Sequence, residues 1–154
     1  MSRSLRLVLS TIALAALVIG TVSATTAGGP KVLDARMAGI PTGGLVLHGI
    51  TGGGVPWVID AGRAKLFADG RLEVEVDGLV LATTGTNPIP TGRAIVTCSS
   101  AAVASTDAVP FSPTGDALVT ARVDLPDTCL APAVFFAGVT GAGDRWFAVT
   151  GLGD

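Results

Sequence analysis

The sequence predicts an all-β protein, an antiparallel β-sandwich of immunoglobulin-like or similar form, with a barrel as the alternative. Three observations predict it. Apolar and polar residues alternate with a period of two in several runs, most clearly in Gly62–Leu81, GRAKLFADGRLEVEVDGLVL. Short strand-like runs, about seven to nine of them, recur at short spacings separated by turn residues. Helices have little room, because beyond the first two dozen residues the longest stretch without Gly or Pro is Arg93–Val109.

The elements follow in chain order. Arg3 and Arg6 form a basic region, Leu7–Ile19 is apolar apart from Ser10 and Thr11, and Val22-Ser23-Ala24 offers the small residues that a signal peptidase reads. Residues 1–24 are therefore read as a signal peptide. Their apolar run falls short of the ~20 residues that a bilayer-spanning helix needs, so no stable membrane anchor is expected after cleavage. The first cysteine is Cys98, far from the cleavage site, and a lipid anchor there is not expected either. Residues 25–30 read as a flexible mature N-terminus and residues 31–154 as a single β-domain, since the remaining length suits one core.

Val32–Ala38 and Leu45–Ile50 read as strands, and GITGGGVP, Gly49–Pro56, as a hairpin turn or mobile loop; it lacks the lysine and following helix of a phosphate loop. In the run 62–81, a two-residue Asp69-Gly70 turn would mix the two faces. A three-residue loop, Ala68-Asp69-Gly70, instead pairs Leu66 with Leu72, Lys65 with Glu73, Ala64 with Val74 and Arg63 with Glu75. The apolar members then share a buried face, and the charged members form opposite-sign pairs on the wet one. Asp60 and Asp77, flanking this hairpin, read as turn or strand-end residues.

Two long connections follow, Ala82–Gly92 with Pro88 and Pro90, and Ser99–Gly115 with Pro110 and Pro113; either is a place for function on a rigid scaffold. Within the second, Ala101–Ala108 reads as a helical turn or two. Between them Arg93–Cys98 is a strand with Ala94, Val96 and Cys98 on one face. Asp116–Asp124, DALVTARVD, alternates Ala117, Val119, Ala121 and Val123 against Leu118, Thr120 and Arg122. Leu125–Cys129, LPDTC, is similar to a sortase sorting signal without its glycine and reads as a strand end leading to the second cysteine. Ala133–Thr140 and Arg145–Thr150 read as a hairpin around Gly141-Ala142-Gly143-Asp144.

Chemistry is sparse by comparison. Cys98 and Cys129 are the only cysteines, an even count that reads as a disulfide in an exported chain. His48 stands alone, so no metal site or cofactor is expected. Without the leader, eight Lys and Arg face twelve Asp and Glu, a net charge of −4, which argues against nucleic acid as a partner. Glu73 and Glu75, each facing a base on an open sheet, read as ionised scaffold residues and not as a glycosidase acid pair.

The readings of function that survive are three. The first is a secreted, extracellular, non-enzymatic binding or interaction domain whose partner is a protein or glycan, reached for instance through a proline-rich loop. The second is a carbohydrate or cell-wall binding module using Trp57 or Trp146, although large fillers for an Ala- and Val-rich core are the simpler use of both. The third is a small hydrolase using His48, which has no G-x-S-x-G elbow to serve and otherwise reads as a strand-end residue with a backbone partner.

Four runs carry a wider resemblance: Gly52–Leu81, GGGVPWVIDAGRAKLFADGRLEVEVDGLVL; Gly85–Cys98, GTNPIPTGRAIVTC; Pro126–Phe135, PDTCLAPAVF; and Trp146–Gly151, WFAVTG. Together they resemble uncharacterised small secreted β-rich proteins of actinomycetes and similar bacteria, which implies export and supplies no activity. A narrower similarity, of Gly62–Leu79 to the repeat unit of CHRD domains, is confined to one hairpin.

Overall fold

The computed structural model describes residues 29–152; the expected signal peptide, residues 1–24, with residues 25–28 of the expected N-terminal segment and residues 153–154, lies outside the described residues. Thirteen strands and no helix make up this part: β1 (Lys31–Gly39), β2 (Val46–Leu47), β3 (Ile50–Thr51), β4 (Trp57–Val58), β5 (Ala61–Phe67), β6 (Arg71–Asp77), β7 (Val80–Leu81), β8 (Thr91–Cys98), β9 (Ala101–Ser105), β10 (Val109–Pro110), β11 (Ala117–Arg122), β12 (Ala133–Thr140) and β13 (Gly143–Thr150). The class is all-β and antiparallel, as expected. Nine strands join in one sheet in the order β10-β8-β12-β13-β1-β5-β6-β11, with β9 also on β8. The sheet curls into a half-barrel, with no break between two separate layers, because β1 belongs to both halves. Its residues Lys31–Arg36 pair with β5 and its residues Met37–Gly39 with β13.

The β5–β6 hairpin adopts the predicted register, with Leu66 opposite Leu72, Lys65 opposite Glu73, Ala64 opposite Val74 and Arg63 opposite Glu75. Ala64, Leu66, Leu72, Val74 and Val76 are fully buried. Gly70 takes φ +82° and donates its N–H to the Phe67 carbonyl at 2.9 Å. A Cβ at that position would collide with the carbonyl oxygen of Val123, so both conformation and space demand glycine. Strand β11 also alternates as expected, with Val119 buried and Leu118 and Thr120 exposed.

Other expectations are corrected. Leu45–Ile50 is not one strand but the tight β2–β3 hairpin, turning at His48 (φ +49°) and Gly49 (φ +76°). Two successive positive φ values are those of a type I′ turn, and histidine is among the few side chains that tolerate the first position. Ala101–Ala108 contains a strand, β9, and no helix; the turn Ser99-Ser100 (φ +50° and +67°) folds it back on β8. The β12–β13 loop is only Gly141-Ala142, since Thr140 pairs with Gly143. Gly49–Pro56 is not a mobile loop: Gly52 N–H donates to Leu45 O (2.8 Å) and Gly53 N–H to Trp146 O (2.9 Å), strapping the segment across β13. Pro30, assigned by sequence to a loose terminus, accepts the Ala68 N–H at 2.9 Å.

The core explains the adjacent aromatics. Strands β8, β12 and β13 are buried on both faces. On one face Trp146 meets Phe135 edge to face, and on the other Phe147 stacks on Trp57 with centroids 3.9 Å apart. Phe111 and Phe136 complete the second cluster. The disulfide Cys98–Cys129, with Cα atoms 5.0 Å apart, ties the end of β8 to the segment before β12.

Candidate functional site

A hollow of about 760 Å³ lies where β1 parts from β5. Strand pairing between them ends at Arg36 and Arg63, after which β1 follows β13. The chain between β4 and β5 passes through the gap. Gly39 makes this crossing possible, because a Cβ there would strike the Trp57 carbonyl, and the Trp57 N–H donates to Ile40 O at 3.0 Å. The edge of β1 at Met37–Gly39 that faces β5, and the edge of β5 at Ala61–Gly62 that faces β1, therefore have no strand partner.

Met37 and Ile59 contribute the apolar lining of the groove, and Arg36, Asp60, Glu75 and Asp77 its charge. All four charged residues are exposed, and among the described residues their side chains make no hydrogen bond or ion pair. Arg63 and Glu75 stand opposite each other as expected, but the ion pair between them is corrected: Arg63 Nε reaches across to Asp34 Oδ1 at 2.6 Å, which leaves Glu75 toward the groove. Asp34 also receives Lys31 Nζ at 2.6 Å. The hydrogen bond from Arg63 first, then that from Lys31, holds the Asp34 carboxyl well below the usual carboxylate range. The Lys65–Glu73 pair forms as expected, at 3.1 Å.

The sequence missed this groove. Asp60 and Asp77 do sit at strand ends, as read, with Asp60 N–H donating to Asp77 O at 3.1 Å. Their convergence with Arg36 depends on β1 lying beside β5, a pairing that no local pattern encodes.

Of the residues that the sequence singled out, Trp57 borders the groove with little of its surface exposed, and the others lie elsewhere. Trp146 is fully buried and Trp57 is 4% exposed. The Trp146 Nε1–H is shared between the carbonyls of Leu45 and Ile50, both at 3.1 Å. Neither ring offers a free face to a sugar, because both fill the double-sided core. His48 borders a smaller hollow of about 350 Å³, lined mainly by apolar residues such as Leu47 and Val149. Its Nδ1 lies 2.8 Å from the Thr97 hydroxyl, a side-chain partner in place of the backbone one expected, and its ring packs edge-on against Phe135. The hydroxyl thus occupies the position at Nδ1 that an orienting carboxylate takes in a hydrolytic triad. Cys98 and Cys129 are bonded to each other, as expected.

Comparison with family models, with curated proteins and with solved structures yields no match.

Proposed function

We propose that this chain is a secreted, non-enzymatic β-domain that binds an extended, lysine- or arginine-bearing polypeptide segment of an extracellular partner in the groove between β1 and β5. The observation that carries the reading is the interruption of pairing after Arg36 and Arg63, beside Asp60, Glu75 and Asp77. A sheet edge without a strand partner is complemented by another extended backbone, and alternate side chains of that backbone then meet whatever lines the walls. Here three acids stand against Arg36, with Arg63 committed to Asp34. A polypeptide is preferred to a glycan because the two tryptophans that would stack on sugar are spent in the core. The disulfide and the leader support an oxidising, exported location. The resemblance to small secreted β-rich proteins agrees with export, and Thr97 at His48 Nδ1 supports a non-enzymatic role.

Titration of the isotope-labelled, disulfide-bonded protein with matched unstructured peptides, one lysine-bearing and one glutamate-bearing, tests this. The lysine peptide should shift the amide resonances of Met37–Gly39 and Ala61–Gly62, and Asp60→Asn with Asp77→Asn should weaken it. Shifts confined to other surfaces, or equal binding of both peptides, would overturn the assignment.

A further inference from the structure

The hollow beside His48, of about 350 Å³, opens where β13 ends and shares no residue with the groove between β1 and β5. Strand β1 pairs with β13 only through Met37–Gly39, and Gly151, at φ +84°, turns the chain after Thr150. Leu33 and Ala35, earlier on β1, therefore have no strand partner on that side and stand half-buried as one wall. Leu47, Ala133 and Val149 supply others. Among the described residues no Lys, Arg, Asp or Glu lines the hollow. Its polar side chains are those of His48 and Thr150, and the Thr150 hydroxyl is buried, accepting the Val134 N–H at 3.0 Å.

Histidine is held here at a local cost. His48 occupies the first left-handed position of its turn, at φ +49°, where asparagine before Gly49 would be less strained. What histidine adds is a ring long enough to reach the Thr97 hydroxyl, 2.8 Å from Nδ1, and to pack edge-on against Phe135. The Trp146 Nε1–H clamps the same hairpin through the carbonyls of Leu45 and Ile50. The imidazole is thus fixed in place before any ligand arrives. Its Nε2 makes no hydrogen bond among the described residues, yet it is not sealed off from the surface. The single hydrogen of the Thr97 hydroxyl has two acceptors in reach, His48 Nδ1 and the Ala133 carbonyl at 3.4 Å, so Nδ1 either accepts or donates. In the neutral ring Nε2 takes the opposite role, and a hydroxyl, which both donates and accepts, matches it in either tautomer.

We propose that this hollow binds a small neutral alcohol with an apolar body, its hydroxyl on His48 Nε2 and its body against Leu33, Leu47 and Val149. A charged ligand would lose its hydration with no opposite charge among the lining residues to offset the loss. A sugar would bring several hydroxyls to walls that offer one unpaired polar side-chain group. The volume lies near the lower end of the range for ligand pockets, which suits one ring or a short chain.

Titration of the full exported, disulfide-bonded, isotope-labelled chain with para-propylphenol tests the proposal. The phenol should shift the amide resonances of Leu47, His48, Ala133 and Gly151, and with them the imidazole Nε2 resonance of His48. Para-propylbenzoate, of similar size but charged, should bind more weakly. His48→Asn keeps the turn, since Asn-Gly is preferred there, and should cut the ratio of affinities for para-propylphenol and para-propyltoluene about fivefold, the value of one hydrogen bond. The wild-type Nε2 resonance reports the same contact without any substitution. Shifts that are absent or confined to other surfaces, an unmoved Nε2 resonance, benzoate binding as tight as that of the phenol, or an affinity ratio unchanged by His48→Asn would overturn it.

Discussion

Asp34 sets the direction of Arg63, and through it the charge presented by the groove. With Arg63 Nε and Lys31 Nζ both at 2.6 Å, the carboxyl is held far below its ordinary value of 3.8. Asp116 is lowered in the same sense by the hydrogen bonds of Thr114, Gly78 N–H and Ser112. At Asp69, desolvation by burial raises the value, and the Arg71 N–H with the charges of Arg71 and Arg122 outweighs it. A carboxylate lowered in the folded state adds stability that is complete above its unfolded value and is lost as pH falls toward the folded one. The urea midpoint should therefore drop below about pH 4. Asp34→Asn should lower the midpoint at neutral pH and flatten its acid decline; a parallel decline in both proteins would show that Asp34 plays no part. The predicted partner of Arg63 was Glu75, the residue directly opposite it in the hairpin. Asp34 prevailed because it lies on a strand brought alongside from about thirty residues away, a contact with no trace in the local pattern.

At the scale of the element, legibility followed the turns. Asp69-Gly70 carries recognised loop chemistry, and its hairpin was read to the residue. His48-Gly49 and Ser99-Ser100 make equally tight turns without the usual Asn-Gly, and both were missed, the first inside a continuous strand and the second at the start of a long connection whose Ala101–Ala108 part reads as a helical turn or two. Ser100 holds φ +67° with no glycine to ease it. Replacing Ser99-Ser100 by Asn-Gly should stabilise the protein by about 1 kcal/mol, through relief of left-handed strain, seen as a higher urea midpoint at an unchanged slope. Neither serine side chain makes a hydrogen bond among the described residues, and the one contact of the turn that matters, Ser99 N–H to Leu130 O at 2.7 Å, is made by backbone and survives.

For the whole molecule, the all-β class and the buried alternation could be read from periodicity, whereas the half-barrel could not, because strand order is decided by contacts far apart in the chain. Two such contacts close the fold. One is the disulfide, spanning 31 residues, which in the chain-entropy account contributes about 3.6 kcal/mol. Reduction, or replacement of Cys98 and Cys129 by alanine, should lower unfolding free energy by that amount, and a loss below about 1 kcal/mol would show that the loop is already ordered without it. The other is β1, shared between β5 and β13, with Met37 against Thr150. The first strand of the described chain is thus locked by the last. Under the export proposed above, the seam between β1 and β13 cannot close before Thr150 has emerged.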